Sequence, residues 1–203
     1  MTGAGVLTFG DFTGKSGRKM PYFVNTGNYR TGMHISVLGD YYADRIVQSG
    51  ENIDALFGPA YKGITLAAAT AGSLYRNHGV NLPFFFNRKE AKDHGEGGLL
   101  IGYEPVDGDR IAIIEDVVTA GTAVRESLAL LKTVADVTAA ALFVSVDRME
   151  RGTGGRSSLR ELREEYGINV YPIITARDII DSFPEGDERI IRMKEYLKIY
   201  GGT

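Results

Sequence analysis

Residues 111–125 read IAIIEDVVTAGTAVR. Four apolar residues, Ile111 to Ile114, run directly into two carboxylates, Glu115 and Asp116, and then into a turn of small and hydroxylic residues. A continuous apolar run of this length reads as a strand buried on both faces, and the residues from about Thr122 to Lys132 carry the spacing of a helix. A strand, a turn stripped of bulk and a helix N-terminus make a phosphate site. The first amides of a helix have no intrahelical partner, and the helix dipole favours an anion there. Thr119 and Thr122 offer hydroxyl donors, and Ala120, Gly121 and Ala123 let the backbone come close. Glu115 and Asp116 would repel a phosphate; they suit the hydroxyls of a sugar or the waters around Mg²⁺. Phosphate at one end and diol at the other describe a ribose 5-phosphate. Taken alone, the stretch also reads as an ordinary loop with solvated acids and a threonine cap.

The neighbouring segments repeat the pattern. Ala55–Phe57 is a short apolar strand followed by the turn GPAYKG and an Ala-rich helix from Ile64 to before Gly79. Leu82–Phe86 and Leu99–Tyr103 are strand-like, as are Ala140–Val146 and Ile168–Ile174. Helical spacing recurs at Ile35, Leu38, Tyr42 and Ile46 and again from Glu188 to Tyr200, where Gly201 is a stop. Ser158 with Glu161 reads as a capping box opening a helix through Leu159, Leu162 and Tyr166. Apolar strands alternating with helices imply βαβ units and a largely parallel sheet, whose ligands sit beyond the carboxyl ends of the strands. GPAYKG and EDVVTAGT both lie at such ends. In the first, Gly58 and Gly63 permit a tight backbone and Lys62 supplies a cation for a second anion; taken alone, the turn reads more simply as a generic βα loop with one exposed lysine.

Composition narrows the classes. The chain has 203 residues, no cysteine and a formal net charge of −3. A chain this long buries roughly 70% of its unfolded surface and needs no staple. Without cysteine there are no disulfides, thiolate metal sites or cysteine nucleophiles. The acidic balance gives no general attraction to nucleic acid or an acidic membrane, so a bound polyanion must be held by local geometry. No signal peptide opens the sequence and no apolar run approaches the roughly 18 residues of a membrane span. The expectation is a soluble, cytoplasmic protein of one domain, with neither nucleic acid nor membrane as partner. Gly14-Lys15-Ser16 resembles the end of a P-loop, but the required first glycine falls at Phe9. His34 and His78 have no partner at metal-ligand spacing.

Three further stretches, FGDFTGKSGRKMPYFVN (9–25), FGPAYKG (57–63) and FNRKEAKDHGEGG (86–98), complete a pattern. EDVVTAGTA resembles the phosphoribosyl pyrophosphate (PRPP) motif of type I phosphoribosyltransferases. The other three, with VDRMERG (146–152), resemble the orotate phosphoribosyltransferase family within that group, over about Val6 to Thr175. The resemblance implies an α/β fold: a central, mostly parallel sheet flanked by helices, with a small hood subdomain and a flexible lid loop. It implies one phosphoribosyltransferase domain over 1–203, the hood drawn mainly from 1–35 and the C-terminal part, the lid at 87–98. The family reaction, with Mg²⁺ as cofactor, transfers ribose 5-phosphate from PRPP to N1 of orotate.

By the same resemblance, Glu115 and Asp116 meet the ribose hydroxyls. Thr119, Ala120, Gly121, Thr122 and Ala123, after Val117 and Val118, cradle the 5-phosphate. Tyr61 and Lys62, with Lys15, meet the pyrophosphate. Phe23, the backbone of Val24, Thr119 and Arg148 meet orotate, where a guanidinium fork suits a carboxylate. Arg88, Lys89, Lys92 and His94 of the lid are divided between the two sites of a homodimer. Lys92, His94 and Asp116 are the expected catalytic residues, with His94 as proton donor to the leaving group. Mg²⁺ is carried mainly by PRPP and touches Glu115 or Asp116 through water at most. The chain departs from the family in having little before Val6, where a helix is common, and in placing Gly14 beside Lys15. A transferase for another base should lack this lid and Arg148. A PRPP-sensing regulator that binds nucleic acid should show a basic stripe.

Overall fold

Apolar runs with no polar face must be covered on both sides, and their pairing builds the centre of the molecule. The computed structural model describes residues 1–14, 17–89, 99–118, 121–152 and 155–202. The chain begins with an antiparallel pair, β1 (Leu7–Thr13) and β2 (Lys19–Val24). Then come α1 (Gly32–Ser49), β3 (Ala55–Phe57), α2 (Lys62–His78), β4 (Phe84–Asn87) and β5 (Leu100–Gly102). The second half runs β6 (Arg110–Val117), α3 (Thr122–Val134), β7 (Thr138–Asp147), α4 (Ser158–Tyr166) and β8 (Asn169–Thr175). Helices α5 (Ala176–Asp181) and α6 (Glu188–Tyr200) close the chain.

Strands β3 to β8 form one sheet in the order β5-β4-β3-β6-β7-β8, parallel throughout except for β5, which returns along β4. Alternate side chains of β6 serve opposite layers. Ala112 and Ile114 join Leu38, Tyr42, Leu66 and Leu74 of α1 and α2. Ile111 and Ile113 join Val124, Leu128 and Leu131 of α3 and Leu162 of α4. Each isoleucine so buried is worth about 1.5–3 kcal/mol, which accounts for the unbroken apolar run up to position 114. A third cluster stands above the carboxyl end of β7. Leu7, Met20, Tyr22 and Val24 of the hairpin pack with Ile179 of α5, Met193 and Tyr196 of α6, and Val146. Among the described residues no helix is long and apolar enough to cross a membrane.

Three local expectations are corrected. Strand β6 does not stop before the acids: Glu115 pairs with Val144 and Val117 with Val146, so both carboxylates belong to the strand. Backbone pairing defines a strand, and it continues where side chains leave the core for the cleft. Helix α4 is capped by Ser157, whose side chain accepts from the Arg160 amide, and Ser158 is its first residue. The reciprocal capping box is at Thr175 and Asp178, opening α5. Helix α2 begins at Lys62 rather than Ile64, which places the lysine on the helix itself.

Candidate active site

The sheet order sets the place of the site. From β3 the chain moves outward to β4 and β5, then returns to lay β6 on the other side of β3. In open α/β sheets such a reversal opens a crevice beyond the strand ends, and here it lies between the turns after β3 and β6. The first turn is pinned. A Cβ on Gly58 would overlap the Gly63 carbonyl, and one on Gly63 would lie 2.9 Å from the Ile114 carbonyl oxygen. The Ala60 amide donates to Asn87 Oδ1 at 2.9 Å, tying the turn to the end of β4.

From this turn Lys62 reaches across the crevice. Its ammonium donates to Asp116 Oδ2 at 2.6 Å and to Thr26 Oγ1 at 3.0 Å, and the Thr26 hydroxyl donates to the same Oδ2 at 2.5 Å. Burial alone would raise the Asp116 pKa, but the bonds from Lys62 and Thr26 outweigh it and hold this carboxyl below its ordinary range. Glu115 is the opposite case. It is 8% exposed, and burial pushes its pKa to about 7. The Asp116 amide, donating to Glu115 Oε1 at 3.0 Å, works against that rise, and the Asp116 charge adds to it. Two adjacent carboxyls thus differ in acidity because their surroundings differ. Tyr42 fixes the end of β6 by donating to the Glu115 carbonyl at 2.6 Å.

At the second turn, Gly121 takes the position before α3 in a left-handed conformation, φ 75°, and among the described residues no side chain caps the helix. The amides of its first turn therefore remain available to an anion. Thr122 and Ala123 are exposed there, and Val117 and Val118 are half-buried on the approach. Thr119 and Ala120 lie outside the described residues, as do Lys15, Lys92 and His94. A cavity of about 100 Å³ beside Asp116 is lined by Thr26, Tyr29, Leu38, Lys62 and Ser145, among others. A much larger one, about 690 Å³, lies between α1 and the first residues and holds neither acid nor lysine. Size does not mark the chemistry.

The remaining expected residues divide. Tyr61 is 70% exposed, and the Lys89 ammonium stands 5.2 Å from its ring centre. Arg88 is half-buried, its Nε without a hydrogen bond among the described residues. Phe23 turns outward against Phe12, ring centres 5.5 Å apart, while Val24 is buried in the hairpin's core. Arg148 is drawn beneath β2: its Nη2 donates to Glu150 Oε1 at 2.5 Å and lies 3.1 Å from Met20 Sδ. Its Nε is buried with no hydrogen bond among the described residues. His78 pairs with Asp44 at 2.9 Å, away from the crevice. Four residues of the site were not singled out from sequence: Thr26, Tyr42, Asn87 and Glu150. Tyr42 was seen only as an apolar position of its helix, Asn87 and Glu150 lay inside quoted stretches without being given a role, and Thr26 falls one residue beyond the stretch 9–25.

This geometry has relatives. The phosphoribosyl transferase domain family matches residues 26–165. The chain is 46% identical over 211 residues to the orotate phosphoribosyltransferase of Clostridium beijerinckii, covering 99% of this chain and 94% of that one. The chain belongs to the orotate phosphoribosyltransferase family. The corresponding protein of Shigella boydii is 46% identical over 202 residues, covering 98% and 93%. The crystal structure of orotate phosphoribosyltransferase from Francisella tularensis superposes with a TM-score of 0.89 at 35% identity, over 99% of this chain and 96% of that one. The mostly parallel sheet between two helical layers is the type I phosphoribosyltransferase fold.

Proposed function

We propose that this protein transfers ribose 5-phosphate from PRPP to N1 of orotate, giving orotidine 5′-monophosphate and pyrophosphate in de novo pyrimidine synthesis. The observation that carries the reading is the meeting of Lys62, Asp116 and the N-terminus of α3, opened by Gly121, at one crevice, in a chain of this family. In the reaction the C1′–O bond breaks with its electrons passing to the diphosphate. N1 of orotate then forms the new bond to C1′ and releases its proton.

Each step has its residues. The 5-phosphate would sit on the first amides of α3, at Gly121, Thr122 and Ala123, with Thr119 and Ala120 completing the cradle. Asp116, held ionised, would take the ribose hydroxyls and tolerate positive charge as the sugar loses its leaving group. Lys62, Tyr61 and Lys15 would meet the pyrophosphate. Phe23, Val24 and Thr119 would line the base, and the unpaired Nε–H of Arg148 is a buried donor to which a carboxylate is the natural acceptor. The lid would close over the neighbouring protomer's site and exclude water, with Arg88, Lys89, Lys92 and His94 divided between the two sites and His94 protonating the departing diphosphate. The hairpin β1–β2, with α5 and α6, would act as the hood over the base.

Mg²⁺ fits this site in one way only. Among the described residues no cluster of three or more acids or histidines forms a metal site. Glu115 is buried with a pKa near 7, and Asp116 Oδ2 already receives Lys62 and Thr26. Such residues suit an ion carried by the diphosphate oxygens and met by Glu115 or Asp116 through water, as Mg²⁺ prefers. The ion would offset charge on the diphosphate. A homodimer sharing its lids and a cytoplasmic setting belong to the same reading.

The test is loss of orotate absorbance with PRPP and Mg²⁺, repeated with uracil, adenine and hypoxanthine and after chelation. Turnover with orotate alone, abolished by chelation, is the expected result. Turnover of another base, or PRPP binding with none, would refute the assignment, the latter in favour of a regulator.

A further inference from the structure

Thr26 enters the crevice from a segment that no motif marks. It opens a single 3-10 turn, Thr26–Asn28, directly after β2. The turn is fixed from both sides: Asn25 Oδ1 accepts from the Gly27 amide at 3.2 Å, and the Asn28 side-chain amide donates to the Gly5 carbonyl at 2.7 Å. Thr26 itself is 8% exposed. A hydroxyl has one proton to give and two lone pairs to offer, and both functions are used. The proton goes to Asp116 Oδ2, and a lone pair takes the Lys62 ammonium. The same short stretch carries Phe23 and Val24, two to three residues earlier.

We infer that Thr26 is a positioning residue: it holds Asp116 in place for the ribose when Lys62 leaves to meet the pyrophosphate. The inference rests on the proposed reaction, which gives Asp116 and Lys62 different parts of one substrate. Both side-chain donors converge on Oδ2. A diphosphate bears more charge than one carboxylate and draws the half-exposed Lys62 toward itself. Asp116, with a side chain only 14% exposed, then keeps the Val117 backbone amide and the Thr26 hydroxyl as its donors, and of the two only the hydroxyl comes from the segment that lines the base. Because Thr26 sits on the segment that lines the base, the same anchor sets the ribose against its acceptor.

Thr26→Val removes the hydroxyl at constant shape, and Thr26→Ser keeps it. Calorimetry with Mg²⁺–PRPP and steady-state kinetics with orotate would be run on both, with melting temperatures in parallel. Loss of a hydrogen bond to a charged acceptor predicts a fall of roughly 10- to 100-fold in kcat/KM for PRPP in the valine variant, with PRPP affinity weakened and the KM for orotate changed less than about threefold. The serine variant should stay within about threefold of the parent on both measures. Should the valine variant not fold, Thr26→Ala takes its place with the same expected loss. A valine variant with parental values overturns the inference, and so does a serine variant that falls as far as valine, because then the methyl matters and the hydroxyl does not. A parent protein that turns over no orotate refutes the reaction instead, and the calorimetric comparison still decides Thr26.

Discussion

Glu115 and Asp116 share a peptide bond, yet folding moves their acidities in opposite directions. For Glu115 the folded value, about 7, stands above the ordinary 4.5, so the folded chain holds the proton more tightly than the unfolded one. Its contribution to stability is complete below about pH 4.5 and is lost as the pH climbs through about 7. Asp116 runs the other way: its contribution is present above the ordinary carboxylate range and disappears as acid protonates it. Glu115→Gln should therefore match the parent near pH 4.5 and exceed it progressively toward neutrality, by about 1–3 kcal/mol. Urea midpoints of both proteins across that range would show it, and a constant difference would count against a buried, reluctantly ionised Glu115. At this scale residue type marked Lys62 and Asp116 as a cation and an acid at strand ends, and the fold brings the two together. Thr26 was not legible in this way, because its meaning comes from a partner 90 positions away. Arg148 was named only through the family resemblance, and its contact with Glu150 depends on a turn whose course the sequence does not declare.

At the scale of elements, apolar runs located every strand of the central sheet, and their ends moved by a few residues. Strand β6 was cut short because two charges look like the end of a buried run, whereas the backbone keeps pairing through Val117. The hairpin gave no clear period of two: β2 buries Met20, Pro21 and Tyr22 in succession, and Met20 and Tyr22 belong to the cluster with Val146, Ile179, Met193 and Tyr196. The turn after β3 makes a firmer demand. Gly58 has no room for a side chain against the Gly63 carbonyl, so Gly58→Ala must displace the start of α2 and Lys62 with it. Overpacking of this kind costs typically about 1–3 kcal/mol, and PRPP affinity should fall as well. Gly3→Ala, where a Cβ meets nothing within 4 Å, is the control. A Gly58→Ala protein that melts with the parent and binds PRPP as well would show the turn to be more accommodating than its contacts imply.

For the molecule as a whole, the alternation of strand and helix made a parallel sheet legible, but not which strands would be neighbours. The placing of β6 beside β3 comes from how the two layers of helices share the apolar surface. The proposed dimer makes its own prediction. If each lid serves its partner's site, Lys92→Ala and Asp116→Asn, each nearly inactive alone, should recover activity when dissociated and mixed. Random pairing leaves one complete site in half of the dimers, about a quarter of parental activity. If each lid served its own site, every mixed dimer would carry one lesion per site and the mixture would stay inactive.

The same strand order governs the birth of the protein on the ribosome. Strand β3 leaves the exit tunnel with Ala55, Leu56 and Phe57, but the neighbour that covers its other edge, β6, begins only at Arg110. At about 5–20 residues per second, the strand that will stand at the centre of the finished sheet spends roughly 3–10 s as an open edge. A chain that stalls in that interval leaves its apolar centre uncovered, so slow translation of this stretch should shift the product toward aggregates.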